Sequence, residues 1–206
     1  MKSSTSKALW YTSLAAGAAV GPAAQGNVIF TDVNPDLIGP TIEIDLDKGG
    51  AVDFRLEIVA SGSQQKSNLV PLATNTSAGI VQTLNNNADR LSAGETIGVG
   101  ASFSGVTDTR TLYDGGSTTP ANFDWAVGTR GFLGLRFDLN GNTHYGWADV
   151  SLNSDAGGLY HTLHGYAYEN TPAATILAGA VPEPTAAMLL VAGAAGAASV
   201  RRRRRS

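Results

Sequence analysis

Residues 131–152 read GFLGLRFDLNGNTHYGWADVSL, and this stretch decides the fold. Apolar residues alternate with other residues along 131–139 and again along 144–152, which is the period of a strand with one buried face. Between the two runs stands Asn140-Gly141, the favoured dipeptide of a two-residue hairpin turn. Asp138, Asn140 and Asn142 also alternate oxygen-bearing side chains, as in a metal-binding loop, but the Asn-Gly pair favours the turn. The stretch therefore predicts two antiparallel strands.

The same alternation recurs on both sides of this hairpin, in short runs bounded by Gly, Asn, Asp and Ser. It appears at 27–33, 41–46, 52–60, 95–103 and 159–168. Between the first and last of these runs, no segment carries the 3.6-residue period of an amphipathic helix. Many short strands with glycine-rich turns are typical of sheet-on-sheet folds. The sequence predicts an all-β domain over residues 27–180, an antiparallel two-sheet sandwich with a jelly-roll-like arrangement.

Composition excludes several classes of function. The 206 residues contain no cysteine, which rules out disulfides, thiolate catalysis and cysteine-ligated zinc. The net charge of −3 hides an asymmetry, because residues 27–182 carry sixteen acidic and seven basic side chains, a balance of −9. Such an acidic body repels nucleic acid, so no nucleic-acid partner is expected.

The first 26 residues have the pattern of a secretory signal peptide. Lys2 and Lys7 precede an apolar run at 8–20, and Gly21-Pro22 then interrupts the helix. Ala24 and Gly26 place small residues at −3 and −1 of a cut before Asn27. An ordinary hydrophobic helix of the mature domain is the alternative, but it does not explain the basic start and the small-residue exit.

The C-terminal end has three parts. Val181-Pro182-Glu183-Pro184 comes first, an apolar run at 185–200 follows, and Arg201, Arg202, Arg203, Arg204 and Arg205 close it. As a helix the apolar run would be about 24 Å long, short of a hydrocarbon core of about 30 Å, although arginine side chains can extend to the interface. The arginine block is expected to stay cytoplasmic, which leaves the domain outside. A solvated basic tail after a buried helix is the alternative.

This ending resembles the PEP-CTERM sorting signal, which is recognised by membrane enzymes called exosortases. The resemblance covers residues 181–206 and includes the motif, the short membrane span and the arginine-rich end. It implies that Pro182, Glu183 and Pro184 are the recognition element and that Arg201–Arg205 act as a cytoplasmic stop. It also implies that the general secretion machinery and an exosortase are partners, that the precursor sits in the inner membrane, and that the processed form reaches the cell surface or is secreted.

The C-terminal half of the body carries a second resemblance. It rests on 131–137, 143–147, 166–169 and 176–179, which look like the domain commonly found ahead of PEP-CTERM signals. This resemblance implies a β fold and assigns no chemistry.

One candidate metal site follows the second predicted strand. Asp45, Asp47 and Asp53 lie around Gly49-Gly50 in an arrangement that resembles a DxDxDG calcium loop. Gly49 stands where an oxygen ligand is expected at position five, and Leu56 stands where position twelve needs Glu. A plain hairpin loop is therefore favoured, and a weakly bound calcium ion is the alternative. No other cofactor is expected.

No catalytic motif is apparent. In a strand His161 and His164 face opposite sides of the sheet, so they share a metal only if a bulge intervenes. No serine sits in a Gly-x-Ser-x-Gly elbow, and neither a Walker A loop nor a dinucleotide fingerprint is present. The sequence thus predicts a protein that is not an enzyme.

The leading functional expectation is a structural protein of the cell surface or extracellular matrix, where exopolysaccharide is its expected surrounding. A carbohydrate-binding module is the alternative, since exposed aromatic rings stack on sugars. Its candidates are Trp125, Trp147, Tyr145, Tyr160, Tyr166 and Tyr168, for which core packing is the competing explanation. A glycan hydrolase is a third class. For it Asp53 and Glu57 on one strand would be about 13 Å apart, beyond the 5–9.5 Å used by glycosidases.

Overall fold

The computed structural model describes residues 27–72 and 77–182, and these form an antiparallel β fold with a single short 3-10 helix. Six strands of eight to fourteen residues dominate the architecture of the described residues. In chain order the elements are β1 Val28–Gly39, β2 Thr41–Ile44, β3 Phe54–Ser61, β4 Gln64–Pro71, β5 Gly79–Ile80, β6 Thr96–Ile97, β7 Arg110–Asp114, the 3-10 turn Pro120–Asn122, β8 Thr129–Leu139, β9 Asn142–Asp155, β10 Gly158–Glu169 and β11 Ile176–Leu177.

The strands make two principal sheets. The large sheet has the order β1-β10-β9-β8-β5 and the small sheet the order β2-β3-β4-β7, while β11 and β6 form a separate two-stranded ladder. Every pair is antiparallel. The predicted all-β, two-sheet class is therefore confirmed. Strands β8, β9 and β10 pair consecutively, as do β2, β3 and β4, whereas the pairs β1–β10, β5–β8 and β4–β7 join strands that are not consecutive in the chain. The jelly-roll-like arrangement stays a prediction.

The main core lies between the inner faces of the two sheets. Alternate residues of β8 and β9 point inward, as the period-two pattern predicts. Each fully buried Leu, Ile or Phe contributes about 1.5–3 kcal/mol relative to an exposed position. The large sheet supplies Leu133, Leu135, Phe137, Ala148, Val150 and Leu152, and the small sheet supplies Ile42, Ile44, Phe54, Leu56, Leu69 and Leu112.

A second apolar layer covers the outer face of the large sheet. The group that packs there is called the outer layer, and it includes Val28, Val81, Leu91, Ile97, Trp147, Ile176 and Ala178. Gly134 permits the close approach, since a Cβ on it would lie 2.5 Å from Val81 Cγ2. The large sheet is consequently buried on both faces over much of its area.

The predicted hairpin is present. Leu139 pairs with Asn142, so Asn140 and Gly141 form a two-residue turn with φ of 55° and 79°. Positive φ at both central residues is the signature of a type I′ turn.

The strand predictions need correction in two respects. Only Thr96–Ile97 of the run predicted at 95–103 is a strand, because that segment lies as a loop over the outer face. Strands β4, β5, β7 and β11 were not predicted. Strand β4, QQKSNLVP, mixes polar residues into its buried face, where Ser67 alternates with Leu69 and Pro71, so the apolar alternation is broken.

Among the residues that the structure describes, no helix combines the length and the apolar character needed to cross a membrane. The predicted signal peptide (1–26) and the predicted membrane span (185–200) lie outside the described residues.

Candidate functional site

The C-terminal end of the domain is bound to the outer face of the large sheet. Ile176 and Leu177 pair with β6, and Trp147 Nε1 donates a hydrogen bond to the Ala180 carbonyl at 3.2 Å. Pro182, two residues later, is exposed. The remaining sorting residues, Glu183, Pro184 and Arg201–Arg205, lie outside the described residues.

The three aspartates predicted as a metal site come together in the loop between β2 and β3. Each of Asp45, Asp47 and Asp53 offers a carboxylate oxygen, and these oxygens lie within 4.8 Å of one another. Asp53 is buried, whereas the other two are half-buried. The spacing matches the requirement of a single hard cation for several converging oxygens.

Backbone N–H groups already engage the same carboxylates. Gly50 N donates to Asp45 Oδ2 at 2.8 Å, Gly49 N to Asp47 Oδ1 at 2.7 Å, and Leu46 N to Asp53 Oδ2 at 2.9 Å. Such bonds are those of aspartate-stabilised turns. The loop geometry thus fits the plain-loop interpretation in full and leaves calcium as a prediction.

Two tyrosines of β10 lie within the electrostatic reach of this loop. Burial raises the pKa of Tyr166, and the charge of Asp45 raises it further while a hydrogen bond with Thr31 opposes the rise. Burial also raises the pKa of Tyr168, with a further contribution from Asp47. Both phenols therefore stay neutral well above physiological pH.

The three histidines occupy separate environments. His144 Nδ1 lies 2.8 Å from the Glu169 carbonyl, and His161 Nε2 lies 2.8 Å from Ser67 Oγ in the main core. His164 points to the opposite face of β10 from His161, even though a register shift interrupts that strand between Leu163 and Gly165. No histidine belongs to a potential metal cluster among the described residues.

His164 has two side-chain partners that the sequence did not indicate. Its Nε2 lies 2.8 Å from Ser151 Oγ, and its Nδ1 lies 2.8 Å from Asp36 Oδ2. Ser151 is half-buried, the His164 side chain is 18% exposed and the Asp36 side chain 43%. A serine, a histidine and an aspartate are therefore linked in series on the outer face of the large sheet.

An ion pair and an apolar depression lie beside this series. Arg130 donates two hydrogen bonds to Asp149, from Nε at 2.8 Å and from Nη2 at 2.7 Å. The bond to Asp149 raises the pKa of Arg130, and the charge of Asp36 adds to the effect. The depression has a volume of about 200 Å³ and is lined by Phe30, Asp32, Arg130, Phe132, Trp147, Asp149, His164, Gly165, Gly179 and Val181.

Most of the aromatic candidates for sugar stacking are core residues. Trp125 and Trp147 are each 2% exposed, Tyr145 is 5% exposed and Tyr168 is 8% exposed. Trp147 instead stacks edge-on against Phe132, with ring centroids 5.3 Å apart. These four rings are therefore used for packing, as the competing explanation held, whereas Tyr160 and Tyr166 are half-buried.

No protein-family model, curated protein or solved structure matches the chain. The resemblance of its C-terminal end to PEP-CTERM signals stays a prediction, and function has to be inferred from the chain's own residues.

Proposed function

We propose that this chain is an exported structural protein of the cell surface or extracellular matrix, delivered by an exosortase. Under this proposal it is made as an inner-membrane precursor with the β domain outside, and it is released or attached after cleavage near Pro182-Glu183-Pro184. The general secretion machinery and the exosortase are its processing partners. Exopolysaccharide is its expected surrounding.

The main support for the proposal is the structure of the last described residues of the domain, 176–182. The segment from Ile176 to Ala180 is bonded to β6 and to Trp147, and Pro182 is exposed immediately beyond it. A sorting enzyme needs an accessible, extended substrate, and proline favours extended backbone in itself and in the residue before it. A motif that begins directly after the last bonded residues would be accessible without any unfolding of the sandwich.

The two ends of the domain also lie close together, which suits a module held between two targeting segments. Asn170 N donates to the Asn27 carbonyl at 3.0 Å, and Val28 packs in the same outer layer as Ala178. The two termini of the described domain therefore meet on the same side of the sandwich.

Two variants test the sorting signal because they should fail in different ways. Each arginine charge costs about 2.5–3.5 kcal/mol to move through the bilayer centre. Replacing Arg201–Arg205 with serine removes this cost, so the short apolar span should pass through the membrane and uncut protein should be released. Replacing Pro182, Glu183 and Pro184 with alanine should leave uncut protein anchored in the membrane. Immunoblots of membrane and medium fractions distinguish the two outcomes.

The control is Pro172→Ala, which changes an exposed proline of the same C-terminal segment and should be processed normally. If the variant with the triple alanine replacement loses its tail at the wild-type rate, the exosortase assignment is wrong.

A further inference from the structure

We propose that Ser151, His164 and Asp36 form a hydrolytic site of the Ser–His–Asp type that cleaves short-chain acyl esters. The three side chains are linked in the order that such catalysis requires. Ser151 Oγ lies 2.8 Å from His164 Nε2, and His164 Nδ1 lies 2.8 Å from Asp36 Oδ2. This inference goes beyond the structural role proposed above, and it departs from the expectation that the chain has no catalytic machinery.

The backbone explains why these three side chains meet. Ser151 stands on the outward face of β9, opposite Thr162 of β10. Strand β1 pairs Asp32 with Gly165 and then Leu37 with Leu163, so residues 33–36 stand opposite His164 alone. The extra residues of β1 form an excursion at the sheet edge, which carries Asp36 to the histidine. Irregularities of this kind re-aim side chains and are frequent beside active sites.

The hydrogen bonds assign a role to each group. Asp36 accepts the Nδ1 proton of His164, which leaves the Nε2 lone pair directed at the Ser151 hydroxyl. Ser151 is then the nucleophile, His164 the general base and acid, and Asp36 a positioning residue. The triad is recognised by geometry and not by sequence motif, so the lack of a Gly-x-Ser-x-Gly elbow does not oppose it.

Arg130 supplies hydrogen-bond donors beside the nucleophile. It is the direct cross-strand neighbour of Ser151 in the β8–β9 register, so its side chain leaves the sheet on the same face. Its Nε and Nη2 are held by Asp149, and the guanidinium side chain is 58% exposed. The guanidinium N–H groups that Asp149 does not accept are donors for the negative oxygen that develops on the attacked carbonyl.

The adjoining depression selects the acyl group. Its volume of about 200 Å³ falls below the roughly 300–1,000 Å³ of pockets for drug-sized ligands, so its size favours a short acyl chain. Phe30 and Phe132 give it apolar walls, and Gly179 keeps it open at one end, where a Cβ would lie 2.9 Å from the Phe132 ring. The alcohol part of the ester remains on the solvent side, where its size is not restricted.

The reaction balances without a further reactant except water. Ser151 Oγ bonds to the ester carbonyl carbon as its proton passes to His164 Nε2. The carbon–alkoxy bond then breaks, and the leaving alcohol takes that proton. Water next attacks the acyl-serine and gives a proton to Nε2, and this proton returns to Oγ when the carboxylic acid leaves.

The test treats the purified full-length chain with a fluorophosphonate probe and maps the modified peptide by mass spectrometry. Hydrolysis of p-nitrophenyl acetate and p-nitrophenyl decanoate is measured in parallel. We expect the probe on Ser151 and a clear preference for the acetate. Ser151→Ala and His164→Gln should each lower kcat/KM by about 100-fold or more, and Asp36→Asn should lower kcat with little change in KM.

Ser154→Ala is the matched control, because it removes an exposed serine from the same strand and should change neither readout. Thermal melts report whether each variant folds. If the folded wild-type protein is not labelled at Ser151, or if Ser151→Ala keeps its esterase activity, the triad is only a clamp between β1 and β9. That result would leave the sorting proposal untouched, since the sorting test uses no activity readout.

Discussion

At the scale of single residues, His161 is the clearest case of chemistry set by burial. Its side chain is fully buried in the main core, Nε2 lies 2.8 Å from Ser67 Oγ, and Nδ1 has no hydrogen-bond partner in the described part of the chain. Removal from water disfavours the charged imidazolium, which lowers the pKa of His161 from 6.5 to about 4. The residue therefore packs as a neutral ring.

This burial predicts a pH dependence of stability. The unfolded chain binds the His161 proton more tightly than the folded chain, so protonation favours unfolding. The contribution of neutral His161 to the free energy of unfolding is complete above pH 6.5 and falls as the pH approaches 4. At 1.36 kcal/mol per pKa unit, the free energy of unfolding decreases by about 3 kcal/mol over this range. Urea unfolding between pH 4 and 8 measures it.

The control for this prediction is His161→Gln, in which an amide can bond to Ser67 without titrating. Over the same pH range, the free energy of unfolding of the variant should fall by about 3 kcal/mol less than that of the wild type. Equal losses in the two proteins would show that other groups cause the acid sensitivity.

At the scale of an element, the loop between β2 and β3 shows how local chemistry builds a potential ligand shell. Lys48 and Gly50 adopt positive φ values of 58° and 90°, which fold the chain back so that Asp45 and Asp47 face Asp53. The carboxylates stabilise this loop by accepting backbone N–H groups. An added ion would compete with those donors or share their oxygens, so weak binding is expected.

We predict that calcium raises the melting temperature if the loop binds it. At a hundredfold excess over Kd the gain is about 2.7 kcal/mol. Asp47→Ala should abolish the rise. Asp155→Ala is the matched control, since Asp155 makes the same kind of turn bond to Gly157 at 2.7 Å but lies outside the cluster. A melting temperature that does not respond to millimolar calcium would leave the plain-loop interpretation alone.

At the scale of the whole molecule, both ends of the described domain close over one face of the large sheet. Val28 near the start and Ala178 near the end pack in the outer layer with Trp147. Residues 27–28 and 178–182, the two ends of the described domain, therefore lie on the side of the large sheet that faces away from the small sheet.

The domain boundary predicts where the signal peptide is removed. Val28 is 8% exposed and belongs to the outer layer, so a cut beyond it would remove an apolar contact from the fold. N-terminal sequencing of the exported protein should therefore find a start between about residues 23 and 28. Ala24→Arg, which disrupts the small residue at −3, should slow the cut, and an external protein that still begins at Met1 would contradict the export prediction.

Local patterns in the sequence were sufficient for the class of fold and for its central hairpin. Period-two alternation identified β8, β9 and β10, and Asn140-Gly141 identified their turn, because strand faces and positive φ are encoded by neighbouring residues. The clustering of Asp45, Asp47 and Asp53 could also be predicted from the sequence, because all three residues lie in one loop.

Only the tertiary structure decided the rest. Strands β4 and β7 depend on partners for their burial, and the outer layer joins segments from both halves of the chain. The Ser151–His164–Asp36 series spans 128 positions between its histidine and its aspartate, and it exists because a register shift in β10 and an excursion of β1 coincide. Strand register is set by packing across the whole sheet, and no local window of sequence contains that information.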